Sequence, residues 1–239
     1  MNIFSLILKN EWRAAFRSPV WHRKLFVNIL LALMFLYLAG NMLFVGIMLD
    51  DIMMKIPVEG IDHRTFPGDW VLRKLNRYLL YYFLADMVIR YLMQKLPAMS
   101  IQPYLHLPMK KASLINLMLA KTMFNPFNIF QFLILGPFMI EVLQNLDSVT
   151  AAMGWVFGVC GIIIAWNFLA VYLKRSADVD WRVFVALLAT LILIVVVHAF
   201  DLVDFAAVSA SIFNTLFLYP ITAIAPWLLM VFAYLINYR

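Results

Sequence analysis

Asp86 and Arg90 stand four residues apart in the apolar stretch "LLYYFLADMVIRYLM" and are its only formally charged residues. On a helix that spacing puts both on one face, close enough to pair. An ionised side chain at the centre of a membrane helix costs about 2.5–3.5 kcal/mol, so Asp86, near the middle of its run, should face protein or water. The chemistry open to them is a polar patch on a transport path or a latch between two conformations. The plainer alternatives are a structural ion pair, or Arg90 snorkelling toward the nearer interface.

A second group sits in "LHLPMKKASLINLMLAK", residues 105–121. Pro97, Pro103 and Pro108 punctuate the chain around it, and a helix is expected to restart near Pro108, where proline is tolerated in a first turn. Leu114, Leu117 and Met118 would then face lipid or neighbouring helices, leaving Lys110, Lys111, Ser113 and Asn116 open to water. Such a short amphipathic helix can be a handle for a partner, or its lysines can simply orient the adjoining spans.

Other chemistries find little support. No G-x-x-x-x-G-K-[ST] occurs and none of the eight glycines lies in a phosphate cradle, so ATP would have to be handled by a separate subunit. His22, His63, His106 and His198 are dispersed, without H-E-x-x-H, G-x-S-x-G or a paired-glutamate signature, which argues against a membrane-embedded enzyme. His198, Asp201 and Asp204 gather at one segment end, where an interfacial polar collar fits better than a metal site. Glu141 and Asp147 read the same way. Cys160, the single cysteine, precludes an intrachain disulfide. No catalytic, cofactor-binding or metal-ligating residue is expected.

The elements that must position these residues follow from composition. Of 239 residues 65% are hydrophobic and 13% charged, against about 45–50% and 25% in soluble domains. The bilayer is the natural solvent for such a chain. The net charge of +6 comes from basic residues scattered beside apolar runs, which points to membrane topology and not to nucleic acid. The expected fold is all-α and polytopic, with six transmembrane helices at 25–49, 78–96, 122–142, 149–173, 183–200 and 206–235. Pro220 and Pro226 should tilt, kink or break the last. If the N-terminus is cytoplasmic, the inner segments hold thirteen Lys and Arg against five outside, so both termini are placed in the cytoplasm. Residues 1–24 should form an interfacial helix, apolar through Phe4, Leu8, Trp12, Ala15 and Phe16, with Arg13 and Arg17 on its polar stripe; the plainer alternative is a positively charged flank that orients the first span. Residues 50–77 form the outer loop, carrying mixed charges. Gly154 and Gly158 form a GxxxG, with Gly161 nearby, suited to tight packing within one subunit more than to a dimer seam.

Leu107-Pro108, a basic pair, Leu114-Ile115 and then Ala120-Lys121 leading into a span resemble the coupling-helix region of type-2 ABC exporter permeases. "LKNEWRAAFRSPVW", residues 8–21, is similar to the interfacial connecting helix of the same family. More narrowly, "SIQPYLHLPMKKASLINLML" and "LILKNEWRAAFRSP" look like a poorly characterised Bacteroidetes group of ABC permease-like membrane proteins. The resemblance implies a multi-pass permease subunit of the bacterial inner membrane, with residues 97–121 contacting a cytoplasmic ABC ATPase. It implies no cofactor in this chain, with ATP and Mg in the partner. It further implies pairing with a second permease unit, whether an identical copy or the other half of a longer permease, in a setting of membrane lipids. A non-transporting assembly or anchoring subunit is the alternative.

Overall fold

In hydrocarbon every backbone N–H and C=O must be bonded within the protein, and long apolar runs meet that condition as helices. The structure, a computed structural model, describes residues 25–56, 67–93, 111–145, 148–200 and 203–238. Those residues are all-α, 93% helical and without a strand. The interfacial helix expected over 1–24, with Trp12, Arg13 and Arg17, lies outside them, as do Pro108, Lys110, Asp147 and Asp201.

The elements are α1 (Leu25–Ile47), α2 (Leu49–Lys55), α3 (Pro67–Met93), α4 (Lys111–Met123), α5 (Pro126–Asn145), α6 (Val149–Val179), α7 (Trp181–Ala199), α8 (Phe205–Leu218), a 3-10 turn (Pro220–Ala223) and α9 (Ile224–Ile236). Among them Phe26–Ile47, Pro126–Gln144 and Val149–Val179 are long and apolar enough to cross a membrane. They become four if α8 and α9, bent by 110° at their break, form one span. The expectation of six is met to that extent. α3 is long, but it begins well before Tyr78 and carries Arg73, Lys74 and Arg77 as well as Asp86 and Arg90.

The third expected span starts later than 122 for a local reason. Pro126 has no N–H and disfavours helix at the residue before it, so α4 stops and α5 begins with the proline in its first position. Asn125 and Asn128 close the break: the Asn125 side chain accepts from Phe127 N–H at 3.2 Å, while Asn128 Nδ2 donates to the carbonyls of Thr122 and Met123 at 3.0 and 3.1 Å. These bonds satisfy carbonyls that a helix end would otherwise leave open.

α6 is the central post. Its indole at Trp155 is fully buried and donates to Asn76 Oδ1 of α3 at 2.9 Å. Its glycines receive the broken pair. A Cβ on Gly154 would lie 2.7 Å from Pro220 Cβ, one on Gly158 2.9 Å from Leu216 Cδ1, and one on Gly161 3.0 Å from Pro226 and Trp227. The glycine motif is thus spent on packing within the chain, as its sequence suggested. Trp227 caps the contact, stacking on Phe157 at 4.7 Å and donating to the Phe157 carbonyl at 3.1 Å.

A second close approach joins α1 to α5. Pro137, inside α5, cannot donate to the carbonyl of Leu133. Gly46 of α1 packs on that carbonyl and its neighbour: a Cβ there would meet Leu133 O at 2.6 Å and Ile134 O at 2.5 Å.

Candidate functional site

α3 carries Asp86 and Arg90 to the level where α4 ends, α5 begins and α6 passes. Arg90 is fully buried, and its Nε donates to Asp86 Oδ2 at 2.5 Å. Its Nη1 reaches Asn167 Oδ1 of α6 at 3.3 Å. Asn167 in turn donates through Nδ2 to Thr122 Oγ1 at 2.9 Å, and the Thr122 hydroxyl donates to the Leu119 carbonyl at 2.7 Å. An unbroken polar chain therefore runs from the α3 ion pair, through α6, into the last turn of α4. Each bond fixes the next, because Arg90 can only donate and so turns the Asn167 amide with its nitrogen toward Thr122.

α5 closes the other side. Phe127 lies under the guanidinium, 6.0 Å from its carbon to the ring centroid, within cation–π range. Asn128 and Gln131, one turn apart, are both buried, and Gln131 adjoins the Asp86 carboxylate. Among the described residues Arg90 Nη2 and Asn128 Oδ1 are buried without a hydrogen-bond partner.

The short helix α4 is held at two further places. Leu117 and Leu119 are buried, and Ile115 and Met118 pack beside Phe168, Val171 and Ala233. Leu119 is buried as well, beyond the Leu114, Leu117 and Met118 that sequence reading turned toward lipid or neighbouring helices. Ser113 is exposed. Asn116 is exposed too, but its side-chain oxygen accepts from Tyr234 OH at 2.5 Å and from Tyr238 OH, so it is tied to α9 and does not stand free for water alone. Burial and the adjoining Tyr234 push the Tyr238 hydroxyl up to about 12, which keeps it a donor. Lys111 is the first residue of α4.

A family-wide sequence profile matches residues 11–239, described as a family of unknown function (DUF5687). The chain belongs to DUF5687. No curated protein and no solved structure matches it. The DUF5687 match takes in the polar chain from Asp86 to Thr122, α4, and also Trp12, Arg13, Arg17 and Lys110.

Sequence reading singled out the ion pair of this DUF5687 chain and missed Thr122, Asn128, Gln131 and Asn167, which complete its surroundings. Their signal was present as hydrogen-bonding side chains inside apolar runs. Among the described residues no three His, Cys, Asp or Glu side chains converge in a manner suited to a metal ion. Asp204, grouped earlier with His198 and Asp201, instead caps α8, its Oδ1 accepting from Ala206 and Ala207 N–H at 2.9 and 3.0 Å. What the cluster can do is mechanical and electrostatic: it holds one ion pair and couples its position to α4.

Proposed function

We propose that this protein is the transmembrane permease subunit of an ABC-type exporter of the bacterial inner membrane, with α4 as the coupling helix contacting a separate cytoplasmic ATPase. The observation that carries this reading is the attachment of α4. The helix is short, exposes Ser113, and is wired to α3 and α6 through Thr122 and to α9 through Asn116. A push on its exposed side would be delivered to three helices at once. That is what a transporter needs when its nucleotide is hydrolysed in another subunit.

The six-span map, with both termini inside, is part of the same proposal, and the register of contacts supports it. α3, α6 and α9 run alongside one another in one direction: Asn76 meets Trp155, Trp166 donates to the Phe83 carbonyl, and Lys174 donates to the Tyr91 carbonyl. Gly154 meets Pro220, and Arg175 donates to the Asn237 carbonyl. Spans two, four and six of the map have this common direction. α8 begins beside Arg77, and α9 ends beside Asn116 and Arg175. The bent pair therefore links opposite ends of the bundle, as one broken span would.

In operation, ATP and Mg belong to the partner. Displacement of α4 would pull Thr122 from Asn167, release Arg90 Nη1, and let the Asp86–Arg90 pair shift against Gln131 of α5. A second permease unit would supply the facing wall of the path. The test is co-purification of the tagged full chain from its native membranes. A Mg-dependent ATPase should accompany the wild type and fall at least tenfold with Lys110→Glu/Lys111→Glu, the spans remaining folded. An equal yield of ATPase with the charge-reversed chain would remove the support for α4 as the docking element. ATP-driven substrate movement by the purified complex in proteoliposomes separates a permease from an anchoring subunit.

A further inference from the structure

Where α3 and α8 cross, a groove of about 390 Å³ is lined by Arg73 and Arg77 on one side and by Ala207, Ala210, Ser211 and Asn214 on the other. We propose that this groove binds the phosphodiester headgroup of a membrane phospholipid. The two arginines are one helical turn apart on the same face, and guanidinium forks match phosphate oxygens in charge and geometry. The small Ala207 and Ala210 leave the room. Among the described residues no carboxylate lines the groove; Asp204 touches its edge, 3.9 Å from Arg77, with its other oxygen committed to capping α8.

A buried relay prepares the uncharged donor. Trp155 N–H can only donate, and it donates to Asn76 Oδ1, so the Asn76 nitrogen must face Asn214, where it donates to Oδ1 at 2.8 Å. That bond leaves the Asn214 amide N–H groups as its side-chain contribution to the groove. Donors alone would suit any phosphate. The lipid is selected by the surroundings, because Val208 and Ile212 are exposed on α8 directly beside Ala207 and Ser211, one turn apart. They form an apolar track for an acyl chain leaving the headgroup, as expected of basic sites between membrane helices.

This inference does not depend on the exporter reading. It is tested on the purified full chain in detergent by following thermal denaturation with added phosphatidylglycerol, the matching diacylglycerol, or inorganic phosphate. Phosphatidylglycerol near saturation should raise the midpoint by about 5 °C, and the other two by less than a quarter of that shift. Arg73→Gln/Arg77→Gln should lose most of the shift. Ala207→Trp, which fills the groove without touching a charge, should lose it as well, covering the case in which the arginine variant folds poorly. An undiminished shift in the folded variants would overturn the proposal. So would an equal shift with diacylglycerol, which would mark apolar solvation only, or with inorganic phosphate, which would mark a soluble-anion site.

Discussion

Removing the Asp86 carboxylate should leave the Arg90 guanidinium buried without its counter-charge, and breaking one half of such a pair costs about 3–5 kcal/mol. Asp86→Ala should therefore lower the denaturation midpoint of the detergent-solubilised chain more than Asp86→Leu/Arg90→Met, in which both charges are gone. If the double variant is the less stable of the two, the pair is not the balanced unit described above. Asn167→Ala would break the link to Thr122 while leaving the ion pair, and should weaken any ATPase-coupled signal more than stability. Asp50 gives a pH handle at the other end of the molecule. Burial and the adjacent Asp51 push its carboxyl above the usual range, partly offset by a hydrogen bond with Glu141. The folded chain thus holds that proton more tightly than the unfolded chain. Both states are protonated below the ordinary carboxyl value, so stability should fall as pH rises from there through the raised value, then level off. Denaturation midpoints measured between about pH 4 and pH 7 should show this slope, and Asp50→Asn should flatten it.

The glycines carry the predictions for whole elements. At Gly154 an added side chain meets Pro220 backbone and the Leu216 carbonyl, at Gly46 it meets two carbonyls of α5, and at Gly40 it meets nothing. Gly154→Leu and Gly46→Val should each cost about 1–3 kcal/mol, the usual range for overpacking, while Gly40→Ala should be neutral in the same denaturation assay. Gly158→Ala should be milder than Gly154→Leu, since it meets only the movable Leu216 side chain. How far the elements could be read from sequence follows the same physics. Long apolar runs announced helices, and the proline pair announced an interruption in the last apolar run, because both depend on local chemistry. The break before α5 was written in Asn125-Pro126, a dipeptide hidden inside a run that reads as continuously apolar. Asn167, which Arg90 meets on α6, and Thr122 beyond it were not legible, because both are far from Arg90 in sequence and no spacing rule links them.

At the scale of the whole molecule, one end gathers Asn116, Lys174, Arg175, Tyr234 and Tyr238 around α4, and the other gathers Arg77 and Asp204. Nothing local in "ASLINLML" could have announced that Asn116 is held by tyrosines more than a hundred residues later; only the return of α9 to that end brings them together. The whole reading rests on which side of the membrane α4 occupies. Its most direct test is an impermeant maleimide applied to a single cysteine at Ser113, in a Cys160→Ser background, in right-side-out and inside-out membrane vesicles. Labelling confined to inside-out vesicles is the expected result; labelling of right-side-out vesicles would place α4 on the wrong face for a cytoplasmic ATPase and contradict the proposed function.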